Sequence, residues 1–343
     1  MIITRGGTGS LGIGVILSSV GVDDLARQAA AADRGGFTFA SVGDNPAHMR
    51  DTFVSLAQLA RATSECWIGT TITTPHHRDP LVVASAFSSI AELAPGRVFA
   101  GIGTGRARPR ASLDELRDHV VALRGLWSRG EVQHRGERLR LSWDAPPVPI
   151  VICGSGPRTL RLAGELADGV VVESGLTPEL VGQARGWIAD GARLAGRDPR
   201  DIPIWWYART TIGETADEAL DDALASLAAA GAFLGLGGGI ESVPERLRPG
   251  VRRLAERYDL DAHLRTDPAN PNRRLLDGDD ALRAYLIERT GIVGDTEEWL
   301  RRIAELRGLG VENVLCVGAS GKKHRFLDLV ARRVLDVLAR QSY

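Results

Sequence analysis

Pro149-Ile150-Val151-Ile152-Cys153-Gly154-Ser155-Gly156-Pro157-Arg158-Thr159-Leu160 reads as an apolar strand that runs through a glycine turn into a helix. The helical pattern continues over 157–167, and a second apolar run follows at 169–172. Two strands joined by one helix make a βαβ unit, whose strands lie parallel. Reading outward from this unit, the same alternation recurs toward both ends of the chain.

Upstream, strands are predicted at 11–17, 37–42, 67–73 and 98–102, with helices after Asp23, over 52–63, from Pro80, and along the stripe Leu113, Leu116, Val120, Leu123 and Leu126. Alternation over 130–143 predicts a small hairpin. Downstream, helices are predicted over about 178–195, from Thr215, over 296–306 and over 326–338, with strands at 204–212 and 314–317. Eight strands and eight helices give a (β/α)8 TIM barrel, one domain over 1–343. A doubly wound open sheet is the structural rival, and it requires a reversal of strand order. The rhythm fails over 231–291, which holds Gly237-Gly238-Gly239, a helix over 244–258 and a polar stretch over 266–274. A break of that length after strand seven predicts an insertion that acts as a lid.

The 42 basic and 43 acidic side chains nearly cancel, to a net charge of −1. No charge footprint for nucleic acid or an anionic membrane results, so a small molecule is the expected partner. The apolar run 11–22 is interrupted by glycines and serines and reads as a strand, not a signal peptide, and no 18 consecutive apolar residues occur; a cytoplasmic protein is expected. Cys66, Cys153 and Cys316 each fall in an apolar strand segment, as buried reduced thiols do. The histidines lack metal-ligand spacing: His76 and His77 are adjacent and point to opposite sides of an extended chain. No metal site is expected.

Ligands of such a barrel meet the C-terminal ends of its strands. There, Gly154-Ser155-Gly156-Pro157 combines close backbone approach, a proline suited to the first helical position, and free amides at a helix N-terminus, the elements of a phosphate cradle. The same tripeptide also serves a tight strand-to-helix turn. Strand four ends in a companion turn, Gly103-Thr104-Gly105, so one phosphate could be held from both sides. Asp44 ends strand two, where it meets a ligand or caps the turn. His48 in the same loop is a candidate proton donor or an exposed loop residue, and Glu173 ends strand six. Arg78 pairs with an acidic ligand group or covers the barrel rim, and Arg209 lies in strand seven beside Trp205, Trp206 and Tyr207, an aromatic cluster suited to packing or to a cofactor wall. No Gly-x-Ser-x-Gly elbow surrounds Ser155, so serine hydrolysis is not supported.

Three strings together resemble one family: Gly154-Ser155-Gly156-Pro157-Arg158 with Leu162-Ala163-Gly164 and Ala167-Asp168-Gly169; Gly69-Thr70-Thr71-Ile72-Thr73-Thr74-Pro75; and Arg97-Val98-Phe99-Ala100-Gly101-Ile102-Gly103-Thr104-Gly105. Over about 11–340 the chain resembles the bacterial luciferase-like oxidoreductases, above all their deazaflavin (coenzyme F420) branch, which includes methylenetetrahydromethanopterin reductases. The resemblance implies hydride transfer between coenzyme F420 and a small organic substrate. It implies that Gly103, Thr104, Gly105, Gly154, Ser155, Gly156 and Pro157 anchor the cofactor tail, and that Asp44, Thr71 and Ile72 form the ring pocket. It further implies a non-proline cis peptide between Thr71 and Ile72 and a homodimer. A reductase needs a proton donor, for which Asp44, His48 and Glu173 are the candidates, and Asn45, Arg78 and Arg209 are candidate substrate contacts at the strand ends. The sugar-phosphate dehydrogenases of the branch carry His beside the aspartate and Glu after the strand-four turn. Asn45 and Arg106 stand there instead, so that reaction is not expected. The alternatives are an FMN-dependent luciferase-like monooxygenase, a non-catalytic flavin-binding relative, and an unrelated sugar-phosphate barrel that uses Gly318-Ala319-Ser320-Gly321 after strand eight.

Overall fold

Valine, isoleucine and phenylalanine dominate eight short runs that, in the computed structural model, become strands. The structure describes residues 11–18, 21–105, 110–237, 239–263, 265, 267–318 and 322–341. In chain order the elements are β1 (Gly12–Leu17), α1 (Val22–Arg34), β2 (Phe39–Val42), α2 (Thr52–Ala62), β3 (Trp67–Thr70), α3 (Pro80–Leu93), β4 (Val98–Ile102) and α4 (Leu113–Arg129). The hairpin β5 (Glu131–His134) and β6 (Glu137–Arg140) follows, then β7 (Ile150–Gly154), α5 (Pro157–Leu166), β8 (Gly169–Val172), α6 (Pro178–Leu194), β9 (Ile204–Ile212) and α7 (Ala216–Leu236). The chain ends with α8 (Arg248–Arg257), α9 (Asp280–Thr290), β10 (Gly291–Gly294), α10 (Thr296–Gly308), β11 (Asn313–Gly318), α11 (Lys323–Val330) and α12 (Asp336–Gln341), the last two joined by a π-helical turn.

Parallel pairing runs β1, β2, β3, β4, β7, β8, β9, β11 and back to β1, so the sheet closes on itself as a TIM barrel. The open-sheet rival is thereby excluded. Side chains alternate along each strand between the barrel interior and the helix layer. Inside, Phe39, Phe99, Val151, Val171, Trp205 and Leu315 fill the floor, with Phe39 edge-on to Phe99 at 5.1 Å and to Trp205 at 4.5 Å between centroids. Gly14 makes room for this stack, since a Cβ there would stand 2.5 Å from the Phe39 ring. Trp206 faces outward into the main core, so both tryptophans pack and neither is a wall for a ligand. Cys66 and Cys316 are buried thiols, whereas Cys153 is half-buried near the barrel mouth.

Three details differ from the sequence reading. β3 ends at Thr70, not at residue 73; the Thr71-Ile72 peptide just beyond it is cis, as the resemblance implies, and Thr73 rejoins β4 through a bridge to Ile102. A ninth parallel strand, β10, closes the 231–291 region: β8 pairs with Ile204, Trp205 and Trp206 of β9, and β10 pairs with Arg209 through Ile212, continuing the same edge where β8 stops. The region also holds α9, which the sequence reading does not anticipate, and α7 extends to Leu236.

α7 and the insertion share a second core, in which Leu227, Val251, Leu254, Leu276, Leu282 and Leu286 are buried. By length and composition α7 could cross a membrane. Its neighbours β9, β10, α8, α9 and the turn Pro271–Arg274 account for that composition, because a helix covered on most sides reads as apolar all round.

Candidate cofactor and substrate site

β4 and β7 are neighbours in register, with Ile102 opposite Ile152, so their two glycine turns stand side by side at the C-terminal mouth. The α5 N-terminus lacks a side-chain cap, as do those of α1, α8 and α11, but it alone follows the Gly154-Ser155-Gly156 turn beside β4. Side chains of Asp51, Asp79, Ser112, Thr177, Thr215, Asp279 and Asp295 cap α2, α3, α4, α6, α7, α9 and α10. α5 begins at Gly156 with no side-chain cap, with Pro157 in its first turn and no acidic residue there. Its amides and the positive end of its dipole are left for an anion. A Cβ on Gly156 would meet nothing within 4 Å, so the cradle is open.

The two turns contribute differently. The Gly103 amide donates to Thr73 O (3.1 Å) and is unavailable to a ligand; the residue supplies clearance, because a Cβ there would sit 2.8 Å from Ile72 and 3.1 Å from the Cys153 carbonyl. The Thr104 hydroxyl accepts from Arg110 Nε at 2.9 Å, which brings a cation to the turn. Ser155 is exposed, and its carbonyl accepts from the buried Ser174 hydroxyl (2.8 Å). Arg106 and the Ala319-Ser320-Gly321 segment lie outside the described residues.

Around the cis peptide the ends of β2, β3 and β4 are stitched together. Thr71 Oγ1 and Ser41 Oγ are 2.5 Å apart, and the Asp44 amide donates to Ile72 O (3.1 Å). The Asp44 side chain is 2% exposed, and its Oδ2 receives Thr73 Oγ1 at 2.7 Å and an ion pair from Arg78, with His77 Nδ1 at 3.3 Å. Arg78 also donates to Asp51 Oδ2 (2.7 Å) and lies over Phe53, 5.0 Å from its centroid. Burial works against ionisation of Asp51, yet the Val54 amide and the Arg78 guanidinium hold its carboxyl below the ordinary range.

The predicted site residues therefore separate. Asp44 and Arg78 join each other, so Arg78 faces a protein carboxylate. Asn45 and His48 stand exposed on the following loop, where the His48 amide donates to Asn45 O (3.0 Å). Glu173 is half-buried at the end of β8 with its amide on Gly154 O (2.9 Å); burial, with the Glu173 charge adding to it, pushes the Cys153 thiol up. Arg209 is 8% exposed in the C-terminal half of β9, donates to Ser226 Oγ (3.1 Å), and lies 5.7 Å from the Tyr207 ring centroid. Among the described residues no carboxylate pairs with it. Nearby, burial pushes the Tyr258 hydroxyl up to about 12 against the pull of Arg209, and Tyr258 Oη and His263 Nδ1 are 2.6 Å apart.

Thr73, His77 and Arg110 escaped the sequence reading as site residues. Nothing in their local sequence marks them: Thr73 and His77 meet Asp44 from beyond a neighbouring strand, and Arg110 reaches back to Thr104 within its own connection. A groove of about 270 Å³ along Arg129, Glu131, Gln133 and Arg138 lies between the end of α4 and the β5–β6 hairpin and contains none of these groups.

A closed parallel barrel, paired glycine turns at its mouth and a cis peptide beyond β3 define a class. The chain belongs to the family described as luciferase-like monooxygenases, which it matches over residues 5–313. It is 33% identical over 237 residues, 61% of this chain and 62% of the other, to the F420-dependent hydroxymycolic acid dehydrogenase of Mycobacterium tuberculosis. It is 26% identical over 333 residues, 91% of this chain and 95% of the other, to the 5,10-methylenetetrahydromethanopterin reductase of Methanolobus tindarius. The coenzyme F420-dependent tetrahydromethanopterin reductase of Methanopyrus kandleri shares the fold with a TM-score of 0.72 at 22% identity, over 96% of this chain and 99% of that one.

Proposed function

We propose that this chain is an oxidoreductase that passes a hydride between coenzyme F420 and a small organic substrate. The observation that carries the reading is the uncapped, acid-free N-terminus of α5, open at Gly156 and set beside the Gly103-Thr104-Gly105 turn. These residues fit a phosphate-bearing flavin or deazaflavin. When bound, the deazaflavin supplies or accepts the hydride at carbon five of its ring. The amides at the start of α5, with Ser155, Thr104 and Arg110, would hold the cofactor tail. Thr71, Ile72 and Asp44 would border the ring, and Asp44, already ion-paired, serves there as a fixed acceptor.

Arg209 would receive an acidic group of the substrate, because a buried guanidinium without a carboxylate gains most from an anionic ligand. The insertion over 231–291, with its own core beside β9, would close over that substrate and keep water out. We place the enzyme in the cytoplasm as a homodimer of single-domain subunits.

Titration of the purified protein with F420 and with FMN, followed by ligand fluorescence, tests the reading. F420 is expected to bind in the micromolar range or tighter. Tight FMN binding with none of F420 would instead assign the chain to the oxygen-using, FMN-dependent side of the family.

A further inference from the structure

We propose that His77 is the residue that exchanges a proton with the substrate, oriented for it by Asp44; the assignment rests on the oxidoreductase reading above. Hydride transfer to or from a carbon that bears oxygen leaves one proton to be placed on, or taken from, that oxygen. The three donors that the sequence suggests are poorly suited. Asp44 carries the Arg78 ion pair and the Thr73 hydrogen bond on Oδ2. His48 is on an exposed loop, and Glu173 stands three strands around the barrel from the Thr71-Ile72 peptide, beside Cys153.

His77 differs in two respects. Its Nδ1 is buried and meets no hydrogen-bond partner among the described residues, yet it lies 3.3 Å from Asp44 Oδ2, close enough for a small ring rotation to complete the bond. About a fifth of the side chain, 20%, stays exposed. A carboxylate at one imidazole nitrogen keeps the proton there and leaves the other nitrogen free to trade with a ligand. Catalytic hydrogen bonds are commonly loose before ligand binds. Position supports the same role: Asp44 touches Ile72 O with its amide and faces His77 with its carboxylate, so one residue ties the proposed ring pocket to the histidine.

In the reducing direction a bound reduced deazaflavin would supply the hydride for the new C–H bond, the C=O π pair would move to oxygen, and that oxygen would take the proton from the His77 imidazolium. The neutral ring then recovers a proton from water. Oxidation of an alcohol runs the same steps backward, with oxidised deazaflavin accepting the hydride.

The test is ¹⁵N NMR of histidine-labelled protein without cofactor, with His77→Asn used to assign the ring. The neutral His77 ring is expected as the Nδ1–H tautomer, and Asp44→Ala is expected to shift it toward Nε2–H. An Nε2–H ring in the wild type, or no change in Asp44→Ala, overturns the pairing. Saturation with F420 is expected to move the His77 signals and leave those of His48 in place; the opposite result removes His77 from the site. With a carbonyl acceptor that the wild type reduces, His77→Asn is expected to slow hydride transfer at least about 100-fold while the F420 affinity stays within about twofold, and an unchanged rate overturns the role. Failure of the wild type to bind F420 would defeat the proposed function, and the tautomer result would still decide the pairing.

Discussion

Arg78 holds two carboxylates of unequal burial, one at the strand mouth and one at the cap of α2. Removing it by Arg78→Ala strands Asp44 as a buried unpaired charge, which should lower stability by about 3–5 kcal/mol in urea unfolding. Arg78→Lys should recover part of this, because an ammonium lacks the fork that spans both partners. Asp51 is 49% exposed, and Asp51→Asn keeps a capping oxygen, so its cost should stay under about 1 kcal/mol. His119 makes a second residue-scale prediction. Burial first, then repulsion from His134, pushes its imidazole from 6.5 down to about 4. The unfolded chain then binds the extra proton between those values, so stability is full above pH 6.5 and falls as the pH drops toward 4. His119→Phe should flatten that acid limb of a stability-versus-pH curve. None of these partnerships is readable in sequence: Asp44 and Arg78 are 34 positions apart and meet only because β2 and β3 lie side by side.

At the scale of the element, the proposed cradle at α5 would set helix stability against ligand binding. Gly156 has an extended backbone with φ −104° and open space at its Cβ, so Gly156→Asp is sterically free and supplies the missing cap. The expected outcome is a gain of about 0.5–2 kcal/mol in thermal unfolding, together with at least a tenfold loss of cofactor affinity from the negative charge placed in the cradle, read by fluorescence titration. A stabler variant that binds normally would mean that the cradle holds no anion. The elements themselves were largely legible. The strand runs, the 130–143 hairpin and the Pro157 start of α5 carry strong local signals. β10 does not, because Gly291-Ile292-Val293-Gly294 is too short to show a period, and its pairing comes from the unmatched end of β9. α9 was obscured for a different reason. Its Leu282 and Leu286 pack into the second core while Arg289 donates to Ser242 and to the Ser174 carbonyl beyond β8, and the polar residues between them give no clear stripe.

Across the whole molecule, the two cores divide the reporters of folding. All seven tryptophans, at 67, 127, 143, 187, 205, 206 and 299, lie outside the 213–295 segment. Leu254 is fully buried in the second core, so Leu254→Ala should remove about 2–5 kcal/mol of local stability. Hydrogen exchange should then accelerate over 240–290 while the tryptophan-detected unfolding midpoint changes little. A full drop in that midpoint would show that barrel and insertion unfold as one unit.

The pairing of β10 with β9 has a further use. The segment leaves the barrel at Ile212 and returns at Gly294, two residues that are register partners, and the Gly213 amide donates to Gly294 O at 3.2 Å. Departure and return thus share one doorway of fixed width, whatever the length of chain between them. A segment of this kind can be exchanged as a cassette: splicing a relative's counterpart between positions 213 and 294 leaves the eight strands of the closed barrel in place, so the exchange tests whether this segment selects the substrate without redesign of the proposed cofactor end.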